Sequence, residues 1–257
     1  MNVPCGPARA IAGLALCAAA AAGCANLHSG AESSTAAPDW HAVVAAADRT
    51  EADRQTDVRR EPERLMSFTG ARPGMRVLDV GAGAGYSTEL LARGIGPAGV
   101  VYAQDAPDAA DSRAGRAFQE RAKKPVMANV VRLLSPYDAL PGNVRDLDLV
   151  TVFFAYHDTA YMPVDRARMD RGWFDALKPG GTLVVADHAA RPGAGTTVTK
   201  SLHRIEQQTV ERELEAAGFR LVAESDSLRH PDDPRDSVVF RSPVPVDEFV
   251  LKFEKPR

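Results

Sequence analysis

A short apolar segment that runs directly into a glycine-rich turn most constrains the fold of this chain. The segment is Val77-Leu-Asp-Val, and the turn is Gly81-Ala-Gly-Ala-Gly85 followed by Tyr86. Glycines allow the backbone to approach a ligand closely, and a helix that starts after them presents free N–H groups. The pattern therefore predicts a strand, a ligand-binding loop and the first turn of a helix.

Strand and helix patterns alternate after this loop, which indicates a parallel sheet with helices on both faces. The last two strands differ, because a proline-rich connection of about 20 residues without a helix pattern joins them, and this favours an antiparallel pair at the sheet edge. The predicted strands are residues 75–80, 99–104, 129–134, 147–155, 182–187, 219–224 and 248–254. The predicted helices are residues 87–93, ended by Gly94, and residues 112–123, 164–177 and 205–217.

Three kinds of glycine-rich loop can be compared with residues 81–86. A phosphate-binding P-loop requires a Lys that this loop lacks. A dinucleotide-binding loop has a third glycine where Tyr86 stands, which counts against a nicotinamide-dependent oxidoreductase. The third kind has alternate glycines preceded by an acid, here Asp79. That combination resembles motif I of class I S-adenosylmethionine (SAM)-dependent methyltransferases, and the Asp79 carboxylate suits the ammonium group of SAM.

The resemblance to this family extends over residues 57–254. Its further motifs are Tyr156-His157-Asp158 after the fourth strand, Leu177-Lys-Pro-Gly-Gly before the fifth, Asp187-His188 after it, and Leu202-His203-Arg204-Ile205. Within this family the chain resembles a group of predicted methyltransferases of unassigned substrate. The resemblance implies the Rossmann-like seven-stranded α/β methyltransferase fold, with strand order 3-2-1-4-5-7-6 and the last strand antiparallel. It also implies SAM-dependent methyl transfer, and we expect a small-molecule acceptor.

The resemblance also implies which residues bind SAM. Asp105, at the end of the second strand, is expected to accept both ribose hydroxyls; the alternative is that it only caps the helix beginning near Asp108. After the third strand, Pro136 stands where the family often has an acid, so the adenine is expected to contact Asp138, with Tyr137 or backbone groups as alternatives. The expected cofactor-binding residues are Asp79, Gly81, Ala82, Gly83, Gly85, Tyr86, Asp105, Asp138 and Tyr156.

Two histidines are candidates for acid–base chemistry, since ligands bind beyond the carboxyl ends of the strands. His157 is the first candidate for a general base, because neutral imidazole accepts a proton near pH 7, and His188 is the second. The alternative for each is a structural histidine at a strand end. A metal site built from both histidines with Asp158 and Asp187 is less favoured, because adjacent strand residues point to opposite faces. We therefore expect no metal.

Two pairs of adjacent basic residues, Arg59-Arg60 and His203-Arg204, lie near the predicted pocket in the implied fold. Arg59-Arg60 is expected to be a solvated charged turn, and the alternative is that Asp57, Arg60 and Tyr86 close the pocket, with Arg60 near the carboxylate of SAM. His203-Arg204 is expected to be a solvated helix start, and the alternative is that it reaches over the pocket.

The three cysteines all lie in the first 24 residues, which excludes a disulfide scaffold in the rest of the chain. Arg9 precedes an apolar run over residues 11–22, which is typical of a secretory signal. The run is shorter than the roughly 20 residues that span a bilayer. Ala21-Ala-Gly-Cys24 resembles the lipobox of bacterial lipoproteins, which implies that Cys24 carries lipid. The alternative is ordinary signal cleavage with Cys24 incidental.

The sequence therefore predicts a signal peptide (residues 1–23), a lipidated cysteine with a flexible tether (24–38), and one domain (39–257) with a helical extension (39–70). The protein would be exported and periplasm-facing, on the outer membrane in a diderm bacterium, with the lipid as its only membrane contact. A net charge of −3 gives no electrostatic case for nucleic acid. The alternative function is an exported lipoprotein that keeps the fold but binds a small ligand without methyl transfer.

Overall fold

One seven-stranded sheet organises residues 36–257, the part of the chain that the computed structural model describes. The strand order is β3-β2-β1-β4-β5-β7-β6; the pairs among β1 to β5 are parallel, and β7 is antiparallel to both β5 and β6. The strands are β1 (Arg76–Val80), β2 (Val100–Asp105), β3 (Val130–Leu134), β4 (Leu147–Phe153), β5 (Leu177–His188), β6 (Arg220–Ser225) and β7 (Glu248–Glu254). This confirms the predicted fold class and strand order.

Helices cover both faces of the sheet. They are α1 (Trp40–Val44), α2 (Glu51–Arg60), α3 (Pro62–Thr69), α4 (Tyr86–Ile95), α5 (Arg113–Arg121), α6 (Arg166–Ala176), α7 (Thr199–Leu202) and α8 (Gln207–Ala216). Successive strand residues supply two separate cores: Leu78 packs with α6 and α8, and Val77 packs with α1, α3, α4 and α5. Central strands of such a sheet are buried on both sides, which explains why their sequences read as continuous apolar runs.

The N-terminal helices pack onto α4 through a glycine. The Asp39 side chain accepts a hydrogen bond from the Ala42 N–H and so caps α1. A Cβ on Gly94 would lie 2.2 Å from the Trp40 ring, so Gly94 provides room for the tryptophan. The prediction that Gly94 ends the helix was therefore wrong, because α4 continues to Ile95.

Two further elements differ from the sequence prediction. Helix α2 was not predicted as a separate helix, although Thr50 and Asp53 form a capping box at its start. Strand β5 begins at Leu177 instead of after Gly181, because Leu177 already pairs with Leu147 of β4.

The predicted signal peptide, Cys24 and most of the tether lie outside the described residues. Between residues 36 and 257, no helix combines the length and the hydropathy that a bilayer span needs.

Candidate active site

The glycine loop is bound to the end of β2 through its backbone. The N–H groups of Gly81 and Ala82 donate to the Gln104 carbonyl at 2.9 and 3.1 Å. Gly81 has a φ of 70°, and a Cβ there would lie 2.5 Å from the Ala155 Cβ, so a larger residue does not fit. A Cβ on Gly83 would meet only the Gly81 carbonyl oxygen, at 3.8 Å. The loop thus keeps open space at Gly83, where a ligand can approach the backbone.

The Asp79 carboxylate is buried and accepts three hydroxyl hydrogen bonds. Ser87 and Thr88 donate to Oδ2 at 3.0 and 2.6 Å, and Thr151 donates to Oδ1 at 2.8 Å. Burial raises the pKa of Asp79, and these hydroxyls oppose that shift. Because Ser87 and Thr88 lie in the first turn of α4 and Thr151 lies in β4, Asp79 fixes the shape of the loop. Its contact with the ammonium group of SAM stays a prediction.

Asp105 presents an unpaired acceptor beside the loop. The Gly83 N–H donates to Oδ1 at 3.0 Å, whereas Oδ2 is buried without a hydrogen-bond partner among the described residues. Arg132 is the nearest cation, 4.0 Å from Oδ2. Asp105 does not cap the turn that follows, which has no side-chain cap. A buried acceptor of this kind requires a donor, and ribose hydroxyls at the open loop would supply it, so the residues present fit SAM.

The affinity for SAM should depend on pH through Asp105. Burial raises the pKa of this carboxyl to about 6, with the Gly83 N–H and Arg132 opposing the shift. Below that pH the free protein holds a proton that must leave before the carboxylate accepts both hydroxyls. We therefore expect the Kd for SAM to rise towards about tenfold per unit as the pH falls from 6 to 5, and to stay level above 7.

Equilibrium dialysis with labelled SAM from pH 5 to 8 measures this dependence. The matched control is Asp105→Asn, which cannot titrate and should show a flat profile. A wild-type profile that is equally flat would contradict the assignment of Asp105.

A charged corner lies on the N-terminal side of the loop, where the alternative prediction places Asp57, Tyr86 and Arg60 together. The Tyr86 hydroxyl donates to Asp57 at 2.5 Å, and Arg49 makes a bidentate ion pair with the same carboxylate. The Arg60 guanidinium lies over the rings of Tyr86 and Phe154, and its Nε is buried without a hydrogen-bond partner in residues 36–257. Burial lowers the pKa of Arg60 to about 10, and the charge of Arg59 adds to this. Arg60 is thus not a solvated turn residue. A carboxylate such as that of SAM would supply the acceptor that its Nε lacks among the described residues.

His157 lies at the start of the turn after β4 and is held by two carboxylates. Its Nδ1 lies 2.7 Å from Asp187 Oδ1, and its Nε2 lies 3.0 Å from Asp158 Oδ1. Burial lowers its pKa, but Asp187 and Asp158 outweigh burial and raise the pKa to about 10. The expectation of a neutral base near pH 7 is therefore wrong for the ring as it stands, because the imidazolium form is favoured.

His188 occupies the neighbouring strand end. Its ring stacks on Phe154 with centroids 5.1 Å apart and lies 5.6 Å from the His157 ring. Its Nδ1 is 2.9 Å from Glu248 Oε1, but the angle does not make a hydrogen bond. Phe154 has a φ of 58°, an unusual backbone conformation that places its ring between His188 and Arg60. The structure thus brings both candidate histidines together, and the catalytic role of His188 stays a prediction.

Two of the expected SAM-binding residues face away from the loop. Tyr156 is fully buried, and its hydroxyl lies 2.9 Å from Asp170 on α6 and 2.9 Å from Glu213 on α8. The carboxylate of Asp138 accepts hydrogen bonds from the Asp165 N–H and from Arg168. Both assignments were wrong, because these side chains bind the helices that cover the sheet.

Tyr137, the alternative contact for adenine in the sequence analysis, stays a prediction. The ring is buried after β3, and burial and the charge of Asp105 both raise the pKa of its hydroxyl. Asp158 adds to the same shift.

The sequence analysis underestimated His203-Arg204. Arg204 is fully buried in an ion pair with Asp233, so this segment is not a solvated helix start. His203 Nδ1 lies 3.3 Å from His157 Nε2, and its ring contacts the exposed rings of Tyr161 and Phe240. The only sequence signal for a functional His203 was the motif Leu202–Ile205. That motif does not show which side chains His203 contacts. His157, Asp158 and His203 together place three potential metal ligands within 4.8 Å of one another.

Comparisons with known proteins agree with this site. The model of the ubiE/COQ5 methyltransferase family matches residues 55–196, more than half of the chain. The "Ubiquinone/menaquinone biosynthesis C-methyltransferase UbiE" of Shewanella pealeana is 28% identical over 181 residues, which cover 60% of this chain and 69% of that protein. The corresponding protein of Vibrio cholerae is 29% identical over 167 residues, which cover 64% of this chain and 61% of that protein.

Solved structures share the fold. A SAM-dependent methyltransferase from Aquifex aeolicus has a TM-score of 0.56 at 22% identity, over 79% of this chain and 96% of that one. The [4+2]-cyclase SpnF has a TM-score of 0.58 at 18% identity, over 83% of this chain and 85% of that one. Because the family model matches residues 55–196, a range that includes the loop, Asp105 and both candidate histidines, the chain belongs to the ubiE/COQ5 methyltransferase family and is a SAM-dependent methyltransferase.

Proposed function

We propose that this enzyme transfers the methyl group of SAM to a ring carbon of a small hydroxylated aromatic molecule, such as a hydroquinone. The names of the UbiE relatives, which are C-methyltransferases of quinone biosynthesis, support this acceptor class. The unpaired Asp105 oxygen beside the open glycine loop carries the donor half of the proposal. The net charge of −3 gives no support to a nucleic-acid acceptor.

The surroundings of His157 support an aromatic acceptor. Tyr161 and Phe240 flank His203 with ring centroids 6.2 and 5.0 Å from its own, and both rings are exposed, Phe240 by 76%. Exposed aromatic rings beside a polar cluster form a surface on which another ring can pack. A flat molecule with a polar edge would fit there, with its hydroxyl towards Asp158.

The polar groups suit the chemistry that such an acceptor needs. Attack by a ring carbon on the methyl group is faster when a ring hydroxyl is deprotonated, because a phenolate donates electron density into the ring. Although burial opposes it, hydrogen bonding from His157 lowers the pKa of Asp158, which therefore remains an ionised acceptor for the hydroxyl hydrogen. Positioning of the two reactants supplies the rest of the rate enhancement.

Transfer of labelled methyl from SAM to naphthohydroquinone tests this function. The full chain should give a product methylated on a ring carbon. Oxidised naphthoquinone has the same shape without the hydroxyls and should accept no label. If SAM binds but neither naphthohydroquinone nor a catechol accepts label, the acceptor class is wrong and the alternative of a ligand-binding protein gains support.

We also propose that the protein is exported and lipidated at Cys24, on the basis of Arg9, the apolar run over residues 11–22 and the lipobox-like ending. Mass spectrometry of protein extracted from membranes tests this. A mature chain that begins with a diacylated Cys24 is expected, whereas an unmodified Met1 would contradict export.

A further inference from the structure

Three potential metal ligands converge beside the acceptor surface, from two segments of the chain. His157 and Asp158 follow β4, and His203 follows α7. His157 Nε2 lies 3.0 Å from Asp158 Oδ1 and 3.3 Å from His203 Nδ1, and the last two atoms are 3.6 Å apart. Each residue therefore offers one potential ligand atom that lies within 4.8 Å of the other two.

These spacings match those of atoms that share one metal ion. Nitrogen and oxygen ligands lie 2.0–2.2 Å from zinc, so two ligands of a tetrahedral site are about 3.3–3.5 Å apart. The three measured distances average to about that value. Two imidazoles and one carboxylate are also a ligand set that binds zinc in catalytic sites, where a fourth position stays open for water or substrate.

The other nitrogen of His157 has the partner that a metal-binding histidine requires. Its Nδ1 lies 2.7 Å from Asp187 Oδ1, and Asp187 is fully buried. The His157 backbone N–H also donates to Asp187 Oδ2, at 2.8 Å. A carboxylate in this position fixes the ring so that the lone pair of Nε2 faces the metal. Asp187 was considered as a direct ligand in the sequence analysis, and its geometry instead makes it the support of a ligand.

The charge of the cluster also favours a cation. Asp158 and Asp187 contribute two carboxylates, and their ion pairs with described residues are all with histidines. A divalent ion would balance both charges with neutral imidazoles. His203 has a φ of 54°, a left-handed conformation that is uncommon outside glycine and directs Nδ1 towards His157.

We propose that His157, Asp158 and His203 bind one zinc ion, whose open position takes the hydroxyl of the acceptor. This deepens the proposed function and rests on it for the identity of the acceptor. A zinc ion lowers the pKa of a bound hydroxyl by several units. The hydroxyl proton passes to water, and the ring carbon bonds to the methyl group. The methyl–sulfur bond breaks with its electron pair on sulfur, and the displaced ring proton leaves to water.

Titration of the metal-free full chain with Zn²⁺ alone, without SAM or acceptor, tests the site. Wild type should bind one ion. His203→Asn, which tolerates a left-handed backbone, and Asp158→Asn should each bind zinc at least about 100-fold more weakly, a larger loss than the 10–100-fold typical of removing a supporting partner. His41→Asn, at an exposed histidine away from the cluster, is the matched control and should bind zinc like wild type.

Two further readouts separate this proposal from the proposed function. Cobalt substituted for zinc should give visible absorption bands in wild type that are lost in His203→Asn. SAM affinity of His203→Asn should stay within about threefold of wild type, because Asp105 and the glycine loop are unchanged. The zinc site is overturned if wild type binds no zinc or if either cluster variant binds it like wild type, whether or not naphthohydroquinone is methylated.

Discussion

Replacing Asp105 by Ala is expected to weaken SAM binding by about 10- to 100-fold. Its Oδ1 already accepts the Gly83 N–H, and its buried Oδ2 has no partner among the described residues. Hydrogen bonds to a charged group contribute about 1.5–3 kcal/mol, and the substitution removes the acceptor for both ribose hydroxyls. Equilibrium dialysis with labelled SAM measures the change in Kd.

The matched control for this variant is Asp108→Ala. Asp108 lies three residues further on in an exposed turn, so its removal changes the local charge equally without touching the loop. Its Kd should stay within about twofold of wild type. Equal SAM affinity of Asp105→Ala and wild type would show that the ribose binds elsewhere.

Replacing Asp233 by Ala should lower the free energy of unfolding by about 3–5 kcal/mol, because it leaves a buried guanidinium uncompensated. Arg204 and Asp233 are both fully buried at their side chains, and Arg204 Nη1 donates to Asp233 Oδ2 at 2.7 Å. The same carboxylate accepts the backbone N–H groups of Arg235 and Asp247. For a chain of this size the loss corresponds to roughly 6–20 °C in Tm.

Urea unfolding followed by circular dichroism measures this effect. Asp232→Ala is the control, because Asp232 is the exposed neighbour, and surface changes of this kind usually stay within about 0.5 kcal/mol. Similar unfolding midpoints for the two variants would contradict the structural role of the pair. Because Arg204 directly follows His203, the pair also holds the segment that carries the third proposed zinc ligand.

The architecture could be predicted because its determinants are local. The apolar runs of β1 and β4 and the spacing of Gly81, Gly83 and Gly85 are visible within short windows of sequence, and the resemblance supplied the strand order. The end of α4 could not be predicted at Gly94, because Trp40, which requires that glycine, lies more than 50 residues away along the chain.

The site was harder to predict, because a residue at a strand end can face the ligand or the covering helices. Tyr156 and His157 are neighbours in the sequence, yet they face different partners. The Tyr156 hydroxyl binds Asp170 on α6, whereas the His157 ring binds Asp187 on β5. The sequence placed both at the correct edge of the sheet without showing this difference. His203 reaches His157 from 46 residues away, through a left-handed backbone that no local pattern marks.

The proposed export of a chain with a SAM-binding fold raises the question of where the enzyme meets its donor. The described residues retain the features that SAM binding needs: the open loop at Gly83, the unpaired Asp105 oxygen and the isolated Arg60 guanidinium. These features support SAM binding, and the match to a methyltransferase family supports a working enzyme.

The most direct test of this account is the binding of labelled SAM to the purified full chain by equilibrium dialysis, with S-adenosylhomocysteine as competitor. We predict one SAM per chain, a Kd between about 1 µM and 1 mM, the usual range for enzyme substrates, and complete displacement by the competitor. No bound SAM at millimolar concentration, in a sample whose circular dichroism shows the folded α/β domain, would contradict it.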